Sequence, residues 1–259
     1  MIADLHNHTK LCNHAEGEIS EYIEQAIKCG IHYFGFSEHA PMDFDEQYRI
    51  GFHQMQAYEQ SILEAKKKYA KEIEIFLGYE VDYLKGHMDE RVLNANVDYL
   101  IGSVHFIEEW GFDNPEFIGN YQNQDIDAIW QKYFDAIEEM AKSRLFDIVA
   151  HLDLIKIFKY MPKKEINAIA KNALLAIKES DMSVEINVAG FRKPIGEAYP
   201  SVSLLQEIKK LDIPITFASD AHKPEQVGLY SKETTEMAKQ LGFTQCAIYR
   251  DRKREFINF

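Results

Sequence analysis

The sequence predicts an α/β fold whose parallel sheet closes, or nearly closes, into a barrel. Three observations carry this expectation. Seven short apolar runs alternate with longer amphipathic stretches, the order expected of βαβ units. Seven such units within 259 residues suit a barrel better than an open doubly wound sheet, since (β/α) barrels commonly take about 250 residues. No GxGxxG or Walker-type loop follows any of the runs, which removes the usual open-sheet nucleotide folds. No linker rich in Pro, Gly or Ser, no low-complexity tract and no short repeat divides the chain, so residues 1–259 are read as one barrel domain.

The runs that read as strands lie near residues 2–5, 32–36, 73–79, 98–104, 146–150, 183–188 and 213–218. Between the first two, residues 18–29 place Ile19, Tyr22, Ile23, Ala26 and Ile27 on one helical face, and Gly30 follows as a natural stop. Residues 53–72, 122–143, 163–179 and 201–211 show the same periodicity. A last apolar run near 245–249 reads as one further strand.

Composition narrows the function. The hydrophobic set makes up 46% of the chain, enough for a sizeable core, and no apolar run exceeds strand length. The start, MIADLHNHTK, has neither the basic segment nor the long apolar region of a signal peptide. Cys12, Cys29 and Cys246 are scattered and odd in number, which offers no disulfide framework and fits a reducing, cytoplasmic setting. A net charge of −13 argues against nucleic acid as a partner, because such binding neutralises phosphates with Lys and Arg. An anionic substrate remains compatible with that charge if bound divalent cations reverse the field locally. The place to look is therefore wherever His, Asp and Glu gather.

They gather where the predicted strands end. The first run leads into His6 and His8, the second into Glu38 and His39, and the third into Glu80. The fourth leads to His105, the fifth to His151, the sixth to Glu185 and Asn187, and the seventh to Asp220 and His222. In (β/α) barrels the loops after the strand C-termini converge on one face. Seven of the ten histidines fall at these positions or, as His14, in the first loop. Taken singly each signal is weak: an HxH pair is often incidental, His105 reads as a core histidine, and Asp220 as a helix cap. His32, His53 and His87 lie off the pattern and are read as surface or packing residues. The joint placement points to a site for divalent metals, and imidazole with carboxylate suits zinc, manganese and iron. Residues two apart on an extended segment share a face, so His6 and His8 can reach one ion, and Glu80 can bridge two.

At these residues the chain resembles the PHP (polymerase and histidinol phosphatase) family, from DLHNHT near the start to ASDAHKPEQVG near the end. FSEHAPM, GYEVDY, SVHF and EINVAGFRKP are similar to its histidinol-phosphate phosphatase branch. The resemblance implies a distorted (β/α)7 barrel with a trinuclear metal site at the C-terminal end of the strands. It assigns His6, His8, Glu80 and Asp220 to one ion, Glu80 with His105 and His151 to a second, and His14, His39 and His222 to a third. It also places Arg192, in AGFRKP, at the substrate phosphate. The implied activity is hydrolysis of L-histidinol phosphate, a small-molecule monoester, with neither nucleic acid nor membrane as partner.

Such hydrolysis needs a nucleophile, charge neutralisation and a proton for the departing alcohol. Water shared between two divalent ions approaches hydroxide near neutral pH, and an Arg fork can meet two phosphoryl oxygens at once. Asp220 and His222 are both candidates for the proton, and a metal-bound water is a third. Asp43, Asp45, Glu108 and Trp110 are candidates for the amino and imidazole ends of the substrate. Two other enzyme classes compete with this reading. One is a phosphodiesterase or nuclease of the same family, against which the acidic composition counts. The other is an amidohydrolase, which usually relies on a metal-bridging lysine or a different carboxylate after the middle strand, and Lys156 lies too far beyond His151 to fit that lysine well. A non-catalytic metal-binding module is disfavoured because no ligand position is empty. Oligomeric state is left open.

Overall fold

A computed structural model describes residues 1–259. The first half contains β1 (Ala3–Asp4), α1 (Ile19–Lys28), β2 (Tyr33–His39), α2 (Met55–Lys68), β3 (Glu74–Asp82), α3 (Glu90–Leu93), β4 (Tyr99–Ser103), β5 (Phe106–Ile107) and β6 (Trp110–Gly111). The second half contains α4 (Ile126–Ser143), β7 (Ile148–Val149), α5 (Ile166–Glu179), β8 (Ser183–Asn187), α6 (Val202–Lys210), β9 (Ile215–Ala218), α7 (Ser231–Gln240), β10 (Gln245–Arg250) and β11 (Lys253–Asn258).

Seven strands form one sheet in the order β1-β2-β3-β4-β7-β8-β9, and every neighbouring pair is parallel. The edges meet at a seam. Leu5 N donates to Phe217 O and His8 N to Ala221 O, each at 3.0 Å, while Asp220 N donates to His6 O at 2.7 Å. One parallel bridge, Asn7 with Ala221, completes the contact. The barrel is therefore nearly closed, and it is distorted because β1 and β7 contribute only two residues each.

Local sequence explains where the elements stop. α1 buries Tyr22, Ile23 and Ala26. It ends as expected at Gly30, whose φ of +72° lets Ile31 N turn back to Ala26 O at 3.0 Å. α4 is capped by Asp125, whose side chain accepts from Asp127 N and Ala128 N, and it buries a stripe running from Ile129 to Ala141. The apolar run at 245–249 is indeed a strand, but it does not join the parallel sheet. It pairs antiparallel with β11 through Asp251 and Arg252, both at positive φ, as a two-residue hairpin turn requires. The hairpin covers the end of the barrel where strands begin. Tyr249 Oη donates to Asp147 O at 3.0 Å, and Arg250 grips Glu74 at 2.7 and 2.8 Å. Helix α7 and strand β11 carry few apolar residues, which is why the sequence did not predict them. Seventy buried residues make one contiguous apolar cluster.

Tyr99 fills the barrel floor. It is fully buried, and its hydroxyl crosses the interior to donate to Leu5 O at 2.6 Å. Two glycines make room for it. A Cβ at Gly35 would overlap the Tyr99 hydroxyl, and one at Gly78 would lie 2.5 Å from its ring. Overpacking of this kind costs about 1–3 kcal/mol. Gly35→Ala should therefore lower stability by that order in urea unfolding. Adding Tyr99→Phe, which removes the overlapped oxygen, should make the double variant less destabilised than the sum of the two single changes. Simple additivity would refute the floor contact.

Candidate metal centre

The strand ends deliver the side chains. Beyond β1 the chain stays extended, so His6 and His8 lie on one face, and both are fully buried. His39 is the last residue of β2, paired in register with Glu80 of β3. β3 does not stop at Glu80 as expected but runs on to Asp82, which puts Glu80 and Asp82 on the same face. His105 and His151 each come two residues after their strand. Asp220 follows β9 in the left-handed region, φ 49°, a conformation Asp tolerates better than most residues. His14 follows the 3-10 turn Lys10–Cys12, and its loop is tied to the last one where Glu16 N donates to His222 O at 2.8 Å.

Glu80 lies at the centre with 2% of its surface exposed. Its Oε2 is 2.9 Å from His39 Nδ1, 3.2 Å from His6 Nε2 and 3.6 Å from His8 Nε2. Its Oε1 is 3.0 Å from His151 Nε2 and 3.6 Å from His105 Nε2. Asp220 Oδ1 lies 3.3 Å from His8 Nε2 and 4.0 Å from His6 Nε2. The donor atoms form three compact groups, His6/His8/Glu80, Glu80/His105/His151 and His14/His39/His222, each within 4.8 Å. All nine candidate ligands thus come together. A fourth group, His8/Cys12/His222, meets the same distance test, so a cysteine does approach the cluster. Its thiol, however, donates to Thr9 O at 3.2 Å, and burial pushes its pKa far up.

Three carboxylates outside the cluster set the tautomers of three imidazoles. His6 Nδ1 is 2.9 Å from Glu185 Oε2, His8 Nδ1 is 3.3 Å from Glu38 Oε1, and His105 Nδ1 is 2.8 Å from Asp82 Oδ1. A carboxylate at Nδ1 keeps the proton there, which leaves each Nε2 facing inwards. His6 Nε2 and His8 Nε2 then approach to 3.1 Å. Two lone pairs cannot satisfy one another, so a cation must lie among them, either extra protons or a metal ion. The same holds for Glu80 Oε2, which no donor satisfies. This donor set fits divalent metal. Glu38 and Glu185 were visible at strand ends, but their orienting role was not. Asp82 was missed altogether, although its spacing of two from Glu80 is the signal.

Electrostatics divides the histidines. Burial works to lower the pKa of His6, His8, His14, His39, His105 and His222. Carboxylates overrule it for His6, held well above its ordinary value by Glu185, Glu80 and Asp220. They also overrule it for His8, raised to about 9 beside Asp220 and Glu38, and for His105, raised to about 10 by Asp82 and Glu80. In the third group burial wins. His39 falls to about 4, and His14 and His222 are also lowered. Burial opposes ionisation of Glu80 and Asp220 as well, yet His6 and its neighbours hold both well below the carboxylate range.

Arg192 borders the same cavity, of about 360 Å³, as Glu80, Asp220 and His222. Its Nη2 donates to Ser219 O and Asp220 O, both at 2.9 Å, while its Nη1 is buried without a partner. An adjoining cavity of about 270 Å³ is lined by Asp45, Tyr48, Asp82, Phe106, Asp113 and Phe117 among others. Of the four residues named for the substrate's cationic end, only Asp45 lines it. Asp43 pairs with His87, Glu108 pairs with Lys132, and Trp110 packs edge-on against Tyr121. Asp113, which lines both cavities, gave no sequence signal beyond an acidic residue in a loop. Lys156 is buried on Asp153, Glu197 and Ala198 O at 2.8–3.0 Å and bridges nothing in the cluster.

A pH prediction follows from the raised imidazoles. Their ordinary value is 6.5, and the folded metal-free chain holds His8 and His105 protons up to about 9 and 10. Stability from this tighter proton binding is complete below pH 6.5 and is lost as pH rises through those values. Chelator-treated protein should melt at lower temperature at pH 9 than at pH 6.5. Divalent metal, taking the place of the protons, should remove most of that drop. A metal-free melting temperature that rises over this range would contradict the charged-imidazole account.

Comparison with known proteins places this arrangement. The PHP domain profile matches residues 4–189, and a PHP-associated profile matches residues 205–240. A Deinococcus radiodurans protein named "Probable histidinol-phosphatase" is 34% identical over 259 residues, covering 98% of each chain. The Bacillus subtilis histidinol-phosphatase is 30% identical over 257 residues, covering 87% of this chain and 95% of that one. Among solved structures, a Lactococcus lactis histidinol phosphate phosphatase, in complex with zinc, L-histidinol and phosphate, superimposes with a TM-score of 0.79. It covers 98% of each chain at 22% identity, and it speaks for the fold. With the domain profile spanning most of the sequence and relatives aligned over nearly all of it, the chain belongs to the PHP domain family.

Proposed function

We propose that the chain is a metal-dependent phosphomonoesterase that hydrolyses L-histidinol phosphate to L-histidinol and inorganic phosphate. His6, His8, His14, His39, Glu80, His105, His151, Asp220 and His222 would hold three divalent ions, of zinc, manganese or iron. The observation that carries the reading is the orphaned Arg192 Nη1 at a cavity it shares with Glu80, His151 and Asp220. A buried donor without a partner is costly, and a phosphoryl oxygen supplies the missing acceptor. The relatives named as histidinol-phosphatases support the choice of substrate.

Bound ions would supply charge neutralisation and bring a water's pKa towards neutrality. The chain's own residues do the rest. Arg192, anchored through Nη2 to Ser219 O and Asp220 O, holds the phosphoryl group against the histidine cluster and stabilises its charge. Asp220 Oδ2 turns away from the imidazoles and accepts from Asn187 Nδ2 at 3.1 Å. As an ionised carboxylate it takes a proton from the attacking water and returns it to the departing alcohol oxygen. His222 is the alternative carrier, although its Nδ1 already points at Asp220 O at 3.2 Å. Asp45 and Asp113, with Tyr48, Phe106 and Phe117 around them, give the amino and imidazole ends of the substrate acidic and aromatic partners.

The decisive assay is phosphate release from L-histidinol phosphate, an aryl phosphate and a short oligonucleotide by metal-reconstituted protein. Selective, chelator-sensitive turnover of histidinol phosphate is expected. Turnover of the oligonucleotide alone would move the chain to a nuclease. Arg192→Ala should cost about 100- to 1000-fold in kcat/KM, whereas Arg91→Ala, at an exposed pair with Asp89, should leave it unchanged. Asp113→Asn should raise KM for histidinol phosphate while sparing the aryl phosphate, and equal effects on both substrates would remove Asp113 from the amine pocket.

A further inference from the structure

Arg49 is neither a candidate ligand nor a phosphate contact, yet only 4% of its surface is exposed and each nitrogen of its guanidinium donates a hydrogen bond beside the metal centre. Nη2 donates to Asp82 Oδ2 at 3.1 Å and to Asp45 Oδ2 at 3.3 Å. Nη1 donates to Ala40 O at 3.2 Å, the carbonyl next to His39, and Nε donates to Asp45 O at 3.0 Å. The two oxygens of Asp82 are thus divided, since Oδ1 is 2.8 Å from His105 Nδ1. The Arg49 backbone oxygen also accepts from Asn13 Nδ2 at 3.4 Å, next to His14.

We propose that Arg49 is a positioning residue of the metal centre. Its planar fork locks Asp82 in the orientation that directs His105 Nε2 at Glu80, and it ties the loops carrying His39 and His14 to the same frame. The inference rests on the metal-dependent reading above. The physical need is specific. A carboxyl torsion is broad and nearly two-fold, so Asp82 held only by His105 would swing and leave the ring's orientation and tautomer unfixed. A guanidinium on the second oxygen removes that freedom, and a flexible lysine would not reproduce the fork. Losing an outer partner of a ligand typically costs about 10- to 100-fold in metal affinity.

The test compares wild type, Arg49→Met, Asp82→Asn and the double variant, each loaded with cobalt(II) against a competing chelator. Thermal unfolding is recorded in parallel. Arg49→Met should lose about 10- to 100-fold in affinity for one ion and change the cobalt absorption band, and Arg49→Lys should recover only part of the loss. The double variant should bind no more weakly than Asp82→Asn by more than about twofold, because both changes break one chain of contacts. Unchanged affinity and spectrum in Arg49→Met would overturn the proposal, as would losses that multiply in the double variant. If Arg49→Met fails to fold, Arg49→Lys, compared in the same two backgrounds, decides between the same outcomes. A wild type that binds no divalent ion would overturn the metal reading itself, which separates that failure from the failure of Arg49 alone.

Discussion

A carboxylate removed from water must find positive charge nearby or give up its own, and at Glu80 it finds five imidazole nitrogens within 3.6 Å and no other cation. Burying such a charge unpaired costs several kcal/mol. Neutral imidazoles turned inwards by outer carboxylates cannot supply the compensation, because they present lone pairs. The top of the barrel is therefore built around a demand for cations that the polypeptide alone meets only with extra protons. The left-handed turn at Asp220, the extension of β3 to Asp82 and the seam joining His6 to Asp220 all bring ligand atoms to that one place.

The outer carboxylates show how the fold sets chemistry at one remove. Glu38 on β2 and Asp82 on β3 each occupy the strand next to the one that leads to the histidine they orient, while Glu185 on β8 reaches His6 from two strands away across the seam. Ring direction is thus fixed by sheet register, which is stiffer than any loop. The His14/His39/His222 group has no such partners and is more exposed, so it is a neutral set of donors at the cavity mouth. The centre is graded in this way, from charged and enclosed at Glu80 to neutral and open at His14. Arg49 links the two ends.

The net charge of −13 no longer conflicts with a phosphate substrate once the location of charge is considered. Arg192 is the cation with an unused buried donor at the cavity, and the remaining positive charge would come from metal. Acidic residues line the adjoining cavity, where the substrate's cationic end would lie under the proposed function. The opposite end of the barrel has a different task. There the β10–β11 hairpin and Tyr99 close the floor with tightly fitted contacts, leaving the strand C-termini to carry function.

Alternating apolar and amphipathic segments, together with metal-competent residues at successive strand ends, pointed to the barrel and to the end of it where His, Asp and Glu gather, while the resemblance to the PHP family was needed to select nine of them as ligands. Those features are local or periodic, and each can be read from one stretch of chain at a time. Tertiary structure decided what depends on proximity between distant segments. The 245–249 run became a floor hairpin because Asp147, Ser183 and Glu74 are there to receive it. Asp43, Glu108 and Trp110 were drawn away by nearer partners, and Asp113 was brought in. Asp82 and Arg49, an unremarked acid and an apparently ordinary loop arginine in the sequence, became linked to His105 only when β3, β4 and the loop after β2 packed together. Hydrogen bonds act over about 3 Å, and no spacing in a linear chain records which residues folding will bring that close.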